Sequence, residues 1–268
     1  MANYNNSKYI EESLNSVISQ NSKDWNLIII DDCSQDNSVQ LIKPYLDHKN
    51  IKLIQNKENV GYTGTLIKLI DAAETDIVGI LDSDDSLKTN AVCEILKCYT
   101  KKPELGFVYS QFMYCNSDMT KRNVGYNKKI PKGKSNLHLN KISHFKTFRK
   151  NIYNQTTGYD EKLLYSEDKD IIFKLEEFTK PYFLNKILYN YRVLPNSQGN
   201  DPTKMLIGQV NFILAKYNAY IRRLNTNLPN LSKIEICNEL KKGLETSSKL
   251  GDNELKKAIK SRLYKVNE

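Results

Sequence analysis

The first 115 residues alternate short apolar runs with segments in which apolar residues recur at helical spacing. The runs have the length of single strands, and the first, Leu27–Ile30, is rich in isoleucine, as a strand buried on both faces would be. The other runs are Ile51–Ile54, Ile77–Leu81 and Phe107–Phe112. This alternation is typical of βαβ units, so it predicts an α/β fold with a mainly parallel sheet flanked by helices.

Two of the predicted strands end in acidic residues. Asp31 and Asp32 follow the first run, and Asp82, Asp84 and Asp85 follow the third. In open α/β sheets, ligands bind in the crevice at the carboxyl ends of the strands. Both clusters therefore lie where a binding site is expected.

The segment Asp82-Ser-Asp-Asp can bring two or three carboxylates around one divalent cation. Mg²⁺ and Mn²⁺ prefer oxygen ligands, and substrate phosphates often fill their remaining positions. Such a cation would stabilise the charge that builds on a departing diphosphate. The same residues also permit a simpler interpretation, in which Asp84, Asp85 and Ser86 cap the following helix.

A second acidic cluster, Glu167, Asp168 and Asp170, precedes the helical pattern that continues at Ile171. A fixed carboxylate there could accept the proton of an attacking hydroxyl. Carboxylates are also common in the first turn of a helix, where they interact favourably with its dipole. The residues alone leave both interpretations open.

Charge and periodicity change along the chain. Residues 1–100 carry 9 basic and 15 acidic side chains, whereas residues 101–268 carry 31 and 16. Lys121–Lys150 contains ten basic and no acidic residues, which suits an anionic partner or a solvated lysine-rich loop. Beyond residue 200 the apolar spacing is helical, so residues 201–268 are predicted to form a helical appendage. The five cysteines are irregularly spaced and predict free thiols.

Five short motifs follow one another in an order and spacing that resembles a single family, the family 2 glycosyltransferases of GT-A fold. The motifs are Ala2-Asn-Tyr-Asn-Asn-Ser-Lys-Tyr-Ile, Ile28-Ile-Ile-Asp-Asp-Cys-Ser, Asn59-Val-Gly, Ile80-Leu-Asp-Ser-Asp-Asp and Ser166-Glu-Asp. The resemblance covers residues 2 to about 200. It implies a catalytic domain over 1–200, with a nucleotide-binding half at about 1–115 and an acceptor half at about 116–200.

By position, the resemblance implies a donor site. Tyr4 and Asp32 would contact the nucleotide base, and Asn59 and Gly61 would lie along the donor. Arg192 resembles the arginine of the family's loop that folds over the diphosphate, where a planar cation suits phosphate oxygens.

The resemblance also implies the reacting groups. Asp82 would face the ribose or the metal, and Asp84 with Asp85 would bind Mn²⁺ or Mg²⁺. Asp168 would be the general base of an inverting displacement, supported by Glu167. A further residue, His144, lies where such enzymes shape the acceptor side.

The resemblance thus predicts a metal-dependent inverting glycosyltransferase of polysaccharide biosynthesis. Its expected partners are a nucleotide-diphosphate sugar, with a UDP-sugar favoured, and a glycan or lipid-linked glycan acceptor; no nucleic acid is expected. The expected location is the cytoplasm, because Met1 leads into a polar segment and no apolar run reaches membrane-spanning length, with peripheral association at the inner face of the membrane.

Two other functions fit parts of the sequence. A haloacid dehalogenase type phosphatase would use Asp82 as a nucleophile, but its motif stands on the first strand of the fold. A non-catalytic module could bind nucleic acid or an anionic polymer through the basic stretch, although few aromatics accompany it. One departure from the family is plain, because Met1 stands where an apolar first strand should end. The first strand is therefore predicted to be missing, with reduced stability.

Overall fold

The strands and helices of the N-terminal half follow the alternation of the sequence. In this computed structural model, which describes residues 1–194 and 201–267, three strands form a parallel sheet in the order β1-β2-β3. They are β1 (Ala2–Asn3), β2 (Leu27–Asp31) and β3 (Ile51–Gln55). Ile29 and Ile30 of β2 are buried, as their apolar side chains require.

Helices accompany these strands. They are α1 (Ile10–Ile18), α2 (Ser38–Ile42), a 3₁₀ turn (Lys43–Asp47) and α3 (Gly61–Ala72). Ile10, Leu14 and Val17 of α1 are buried in the core that also contains Leu27 and Ile29. Their spacing of four and three residues places them on one face of the helix.

A second, six-stranded sheet is mixed rather than parallel. Its path is β4-β8-β6-β9-β5, and β7 pairs with the carboxyl-terminal part of β6, at Met113 and Cys115. Only the β6–β9 pair of this sheet is parallel. The strands are β4 (Ile77–Gly79), β5 (Ser86–Leu87), β6 (Phe107–Cys115), β7 (Lys121–Val124), β8 (Lys146–Arg149) and β9 (Tyr182–Arg192). Helices α4 (Ala91–Lys101) and α6 (Lys150–Tyr153) are among those that lie between these strands along the chain.

The chain divides into two compact units, and both sheets lie in the first. The first unit consists of Met1–Lys129, Ile142–Gln155 and Thr179–Val193. The second unit consists of Ile130–Lys141, Thr156–Phe178 and the described residues from Leu194 onwards. The second unit therefore includes segments that precede residue 200, where the sequence places a boundary.

The second unit is helical. Its helices are α5 (Asn136–Leu139), α7 (Glu167–Leu175), α8 (Pro202–Arg223), α9 (Lys233–Leu250) and α10 (Asn253–Asn267). Leu137 of α5 and Phe173 of α7 are buried in the same core as Val210 and Leu214 of α8. This shared core explains why the earlier segments belong with the C-terminal helices. No helix within 1–194 or 201–267 is long and apolar enough to cross a membrane.

The N-terminus forms a two-residue strand beside a cleft. Ala2 and Asn3 pair in parallel with Ile30 and Asp31, and the buried Met1 amine donates a hydrogen bond to the Ile28 carbonyl at 2.8 Å. A cleft of about 310 Å³ opens here, lined by Met1 and by residues of β2, β3, α3 and β4. The family's first strand, which was predicted to be missing, is thus present, but only as this two-residue segment. Burial lowers the pKa of the Met1 amine to about 5.

Candidate functional site

The acidic loop, residues 82–85, connects β4 to β5 in the first unit. Helices α1 and α3 and the turn before α1 fix it from one side. The Tyr62 hydroxyl on α3 donates to Asp82 Oδ1 at 2.7 Å, and Asn6 Nδ2 donates to the Ser83 hydroxyl at 2.7 Å. Ser13 of α1 donates to the Asp82 carbonyl at 3.3 Å. The Asp82 side chain is thereby held while remaining 23% exposed.

Strand β9 fixes the acidic loop from the other side. The Tyr189 hydroxyl donates to Asp85 Oδ2 at 2.7 Å and accepts from the Asp82 backbone N–H at 3.2 Å. The Arg192 backbone N–H donates to Asp85 Oδ1 at 2.7 Å. Asp85 is buried, and each of its carboxylate oxygens accepts one of these bonds. It can hold the loop in a single shape because both donors come from the same strand.

The Arg192 guanidinium lies inside the protein. Its Nε donates to the Asp84 carbonyl at 2.6 Å, Nη2 to Glu12 Oε2 at 2.5 Å, and Nη1 to the Ser117 carbonyl. The guanidinium also lies 4.6 Å from the centre of the Tyr9 ring. In this structure the donors of Arg192 thus contact the protein's own groups around the acidic loop. The loop sequence that follows, residues 195–200, lies outside the described residues.

The acidic loop concentrates negative charge in a poorly solvated place. Burial and, to a smaller extent, the negative charge of Asp82 raise the pKa of Asp84 to about 6. Burial and, to a smaller extent, the negative charges of Asp84 and Asp82 raise the pKa of Asp85 well above its usual value. Three carboxylates share the nearby positive charge of Arg192, so a bound divalent cation would relieve their repulsion. Their oxygens are the donors that Mg²⁺ and Mn²⁺ prefer, so the residues fit such an ion.

His144 lies beside this loop. One ligand atom each from Asp82, Asp85 and His144 lie within 4.8 Å of one another. His144 Nδ1 is 3.9 Å from Asp82 Oδ2. Among the described residues, the structure therefore groups Asp82 and Asp85 with His144, and Asp84 is not part of this group.

The carboxyl end of β2 is built around two buried carboxylates. Asp31 accepts from Asn3 Nδ2 at 2.7 Å and from the Ser34 backbone N–H at 3.0 Å. Asp32 Oδ1 accepts from Asn56 Nδ2 at 2.8 Å and from the Val60 N–H at 2.9 Å. Asp32 thus joins the end of β2 to the segment before α3.

Three other residues that were predicted to bind the nucleotide-sugar donor lie near these strand ends in sequence. Tyr4 follows β1 and is 49% exposed. Asn59 Oδ1 accepts from the Gly61 N–H at 3.0 Å. Gly61 has φ +79°, a conformation that favours glycine, and it begins α3. The turn therefore depends on the Asn59-Val-Gly sequence.

Asp168 and Glu167 lie in the second unit, in the first turn of α7. Asp168 is partly exposed, and its Oδ2 is 3.7 Å from Lys169 Nζ. Glu167 is buried. The neighbouring Asp170 is also buried and pairs with Lys174 at 2.6 Å, so it has a structural partner within the helix.

Sequence reasoning missed Tyr62 and Tyr189, which hold the acidic loop, and Glu12, which pairs with Arg192. Tyr62 directly follows the Asn59-Val-Gly motif, so its position was a signal that could have been used. Tyr189 stands 107 positions from Asp82, and Glu12 stands 180 positions from Arg192. Only the folded structure brings these pairs together.

Comparison with known proteins matches this chain to one family and to proteins of known fold. The family model described as Glycosyl transferase family 2 matches residues 1–157. A chondroitin synthase of Pasteurella multocida (strain Pm70) is 33% identical over 193 residues, which is 71% of this chain and 20% of that protein. The chain therefore spans about a fifth of the length of this relative.

Solved structures share the fold. S. aureus TarS 1-349 in complex with UDP-GlcNAc superposes with a TM-score of 0.66 at 19% identity, covering 92% of this chain and 70% of that one. A mannosyltransferase from Pyrobaculum calidifontis in complex with GDP-Man and Mn²⁺ gives a TM-score of 0.60 at 13% identity, covering 99% and 73%. The predicted α/β fold of GT-A type is confirmed, with a mixed second sheet.

Proposed function

Because the chain belongs to glycosyl transferase family 2 and is a glycosyltransferase, we propose that it transfers a sugar from a UDP-sugar to a hydroxyl of a glycan. The acidic loop carries this proposal. Its carboxylates stand at the carboxyl end of β4, held by β9 and α3, where a nucleotide diphosphate and its cation would bind. The choice of UDP is supported by the UDP-GlcNAc in the TarS structure.

The donor nucleotide would lie at the carboxyl ends of β1 and β2. Tyr4 has an exposed ring that can pack on the base, and Asp32 can accept a hydrogen bond from it. Asn59 and Gly61 form the adjacent turn, whose backbone lies open to a ligand because a Cβ at Gly61 would meet no atom within 4 Å.

The acidic loop would act on the leaving group. A bound Mn²⁺ or Mg²⁺ would supply electrostatic stabilisation of the charge on the departing diphosphate. Asp82, Asp84 and Asp85 are the carboxylates proposed to hold it. Tyr62, Tyr189 and Arg192 keep these carboxylates in position, so little reorganisation accompanies the reaction.

The acceptor hydroxyl must lose a proton as it attacks. We propose that Asp168, at the start of α7, is the general base that accepts this proton, and that Glu167 is its supporting neighbour. A carboxylate base that activates the acceptor opposite the leaving group inverts the sugar's configuration.

The acceptor is proposed to be a glycan or a lipid-linked glycan. The P. multocida relative is by name a chondroitin synthase, which supports a polysaccharide. Exposed lysines of the basic stretch, among them Lys128, Lys129, Lys132 and Lys134, would favour an anionic acceptor or an anionic membrane surface. The proposed location is the cytoplasm, at the inner face of the membrane.

Donor binding tests this proposal directly. Calorimetric titration with UDP, GDP and ADP, each with Mn²⁺ and with EDTA, should give tight binding for UDP with Mn²⁺ and weak binding in EDTA. Asp82→Asn should weaken UDP binding, whereas Asp24→Asn, which changes an exposed carboxylate away from the loop, should leave it unchanged. Equal affinity for all three nucleotides, independent of metal, would reject the proposal.

A further inference from the structure

His144 has a fixed position next to the acidic loop. It precedes β8, and its backbone carbonyl accepts a hydrogen bond from Nδ2 of the buried Asn127. Its ring stacks on Tyr189 with centroids 4.9 Å apart and on Tyr191 at 4.8 Å. The Phe112 and His144 rings form a T-shaped pair with their centroids 5.6 Å apart. Main chain and ring are thus both restrained, so the ring cannot turn away without breaking these contacts.

The restrained ring directs a nitrogen towards two carboxylates. His144 Nδ1 lies 3.9 Å from Asp82 Oδ2, and both belong to the group with Asp85 whose ligand atoms lie within 4.8 Å of one another. Ligands bound to one ion at about 2.0–2.2 Å stand about 3 to 4.4 Å apart. Small side-chain rotations would therefore bring all three to a common ion.

Hydrogen bonds hold the two carboxylates in place, as is usual for the ligands of a metal ion. Asp85 accepts from the Tyr189 hydroxyl and from the Arg192 N–H, and Asp82 accepts from the Tyr62 hydroxyl. Each carboxylate oxygen has a further lone pair that can bind an ion. Hydrogen bonds of this kind orient ligands around a metal and are part of such sites.

We propose that His144 is a direct ligand of the divalent cation, together with Asp82 and Asp85, and that this nitrogen makes the site select Mn²⁺ over Mg²⁺. This inference rests on the proposed function, since the remaining coordination positions would be filled by diphosphate oxygens and water. Mg²⁺ favours an all-oxygen shell, whereas imidazole suits transition metals. The stacked tyrosines hold the ring for this purpose, and His144 is then not an acceptor residue.

Pulsed EPR of Mn²⁺ tests the ligation without relying on activity. The wild-type protein with Mn²⁺ and UDP should show a ¹⁴N coupling from a directly bound imidazole, together with ³¹P couplings from the diphosphate. The chain has three histidines, so labelling with ¹⁵N-histidine should convert the coupling to that of ¹⁵N in the unaltered protein. His144→Gln should abolish it. His48→Gln is the matched control, because that ring stacks on Trp25 in the same unit and should have no effect.

Metal affinity tests the selectivity. In His144→Gln the affinity for Mn²⁺ in the presence of UDP should fall by about tenfold or more, since even indirect supports of metal ligands contribute that much. The affinity for Mg²⁺ should change less, so the Mn²⁺ preference should shrink.

Different results separate this inference from the proposed function. If Mn²⁺ and UDP bind to the wild type with ³¹P coupling but without nitrogen coupling, the His144 assignment is wrong and the proposed function stands. A ¹⁴N coupling that persists in His144→Gln also overturns it. If Mn²⁺ does not bind, with or without UDP, both the assignment and the metal-dependent reaction are rejected. The labelling arm gives its result even if the variant fails to fold.

Discussion

Asp85 illustrates how single residues determine the site. It is buried, and its two oxygens accept from the Tyr189 hydroxyl and the Arg192 N–H. Removing one donor leaves a buried acceptor partly unsatisfied, which is more destabilising than losing a surface contact. The shape of the acidic loop should therefore depend on Tyr189.

We expect Tyr189→Phe to destabilise the protein by about 1–3 kcal/mol, because Asp85 loses its hydroxyl donor while the ring stack is kept. Chemical denaturation followed by circular dichroism measures this free energy of unfolding. Tyr182→Phe, on the same strand and with its ring beside Lys102, should change it by less than about 0.5 kcal/mol. Equal losses for the two variants would contradict the account.

Asp168 should affect turnover rather than donor binding. We expect Asp168→Asn to lower kcat by about 10² to 10⁴-fold, because the amide keeps the size of the side chain but cannot take a proton. The dissociation constant for UDP, measured by calorimetry, should stay within about twofold of the wild type. If the residue only stabilised the start of α7, Asn would serve nearly as well and the variant would remain active.

The sequence shows which segments contain the carboxylates, but it does not show which contacts each carboxylate makes. Asp82, Asp84 and Asp85 are adjacent, and their pattern alone gives all three the same role. The structure groups Asp82 and Asp85 with His144, whereas the Asp84 carbonyl accepts from Arg192. The contacts with His144 and Arg192 join residues 59 or more positions apart, so local spacing could not specify them.

Strand β9 is the element that holds the acidic loop. Tyr189, Asn190 and Arg192 all contact the segment from Asp82 to Ser86, through side chains or backbone. Because these contacts come from one strand, displacement of its carboxyl end should disturb the whole loop.

We expect Arg192→Lys to destabilise the protein by about 1.5–3 kcal/mol, because an ammonium cannot reach the carbonyls and carboxylate that the guanidinium joins. Donor affinity should fall with it, since the acidic loop loses its support. Glu12→Gln removes only the charge of the half-exposed carboxylate that pairs with Arg192. It should lower the free energy of unfolding by about 1 kcal/mol or less. Thermal melting and UDP calorimetry on both variants give the comparison. An Arg192→Lys protein as stable as Glu12→Gln would refute the role given to β9.

The sequence predicted those elements whose apolar pattern is strong. Strands β2, β3, β4 and β6 and helices α1 and α8 follow from continuous or periodic apolar residues. Strand β7 is exposed throughout, and β9 contains exposed Asn185 and Lys186, so neither shows the pattern of a buried strand. Pairing with β6 stabilises both. The long-range parallel pairing of β9 with β6, which also pairs antiparallel with β8, makes the second sheet mixed.

Metal-dependent sugar transfer is the central claim for the whole molecule, and one assay tests it most directly. The purified chain is incubated with UDP-sugars and glycan oligosaccharides, and the products are weighed by mass spectrometry in Mn²⁺, in EDTA, and after Mn²⁺ is restored. We expect one UDP-sugar to add a single sugar mass to an acceptor, with the product lost in EDTA and regained with Mn²⁺. Asp82→Asn should give at least about tenfold less product. Transfer that continues unchanged in EDTA and in Asp82→Asn would contradict the account.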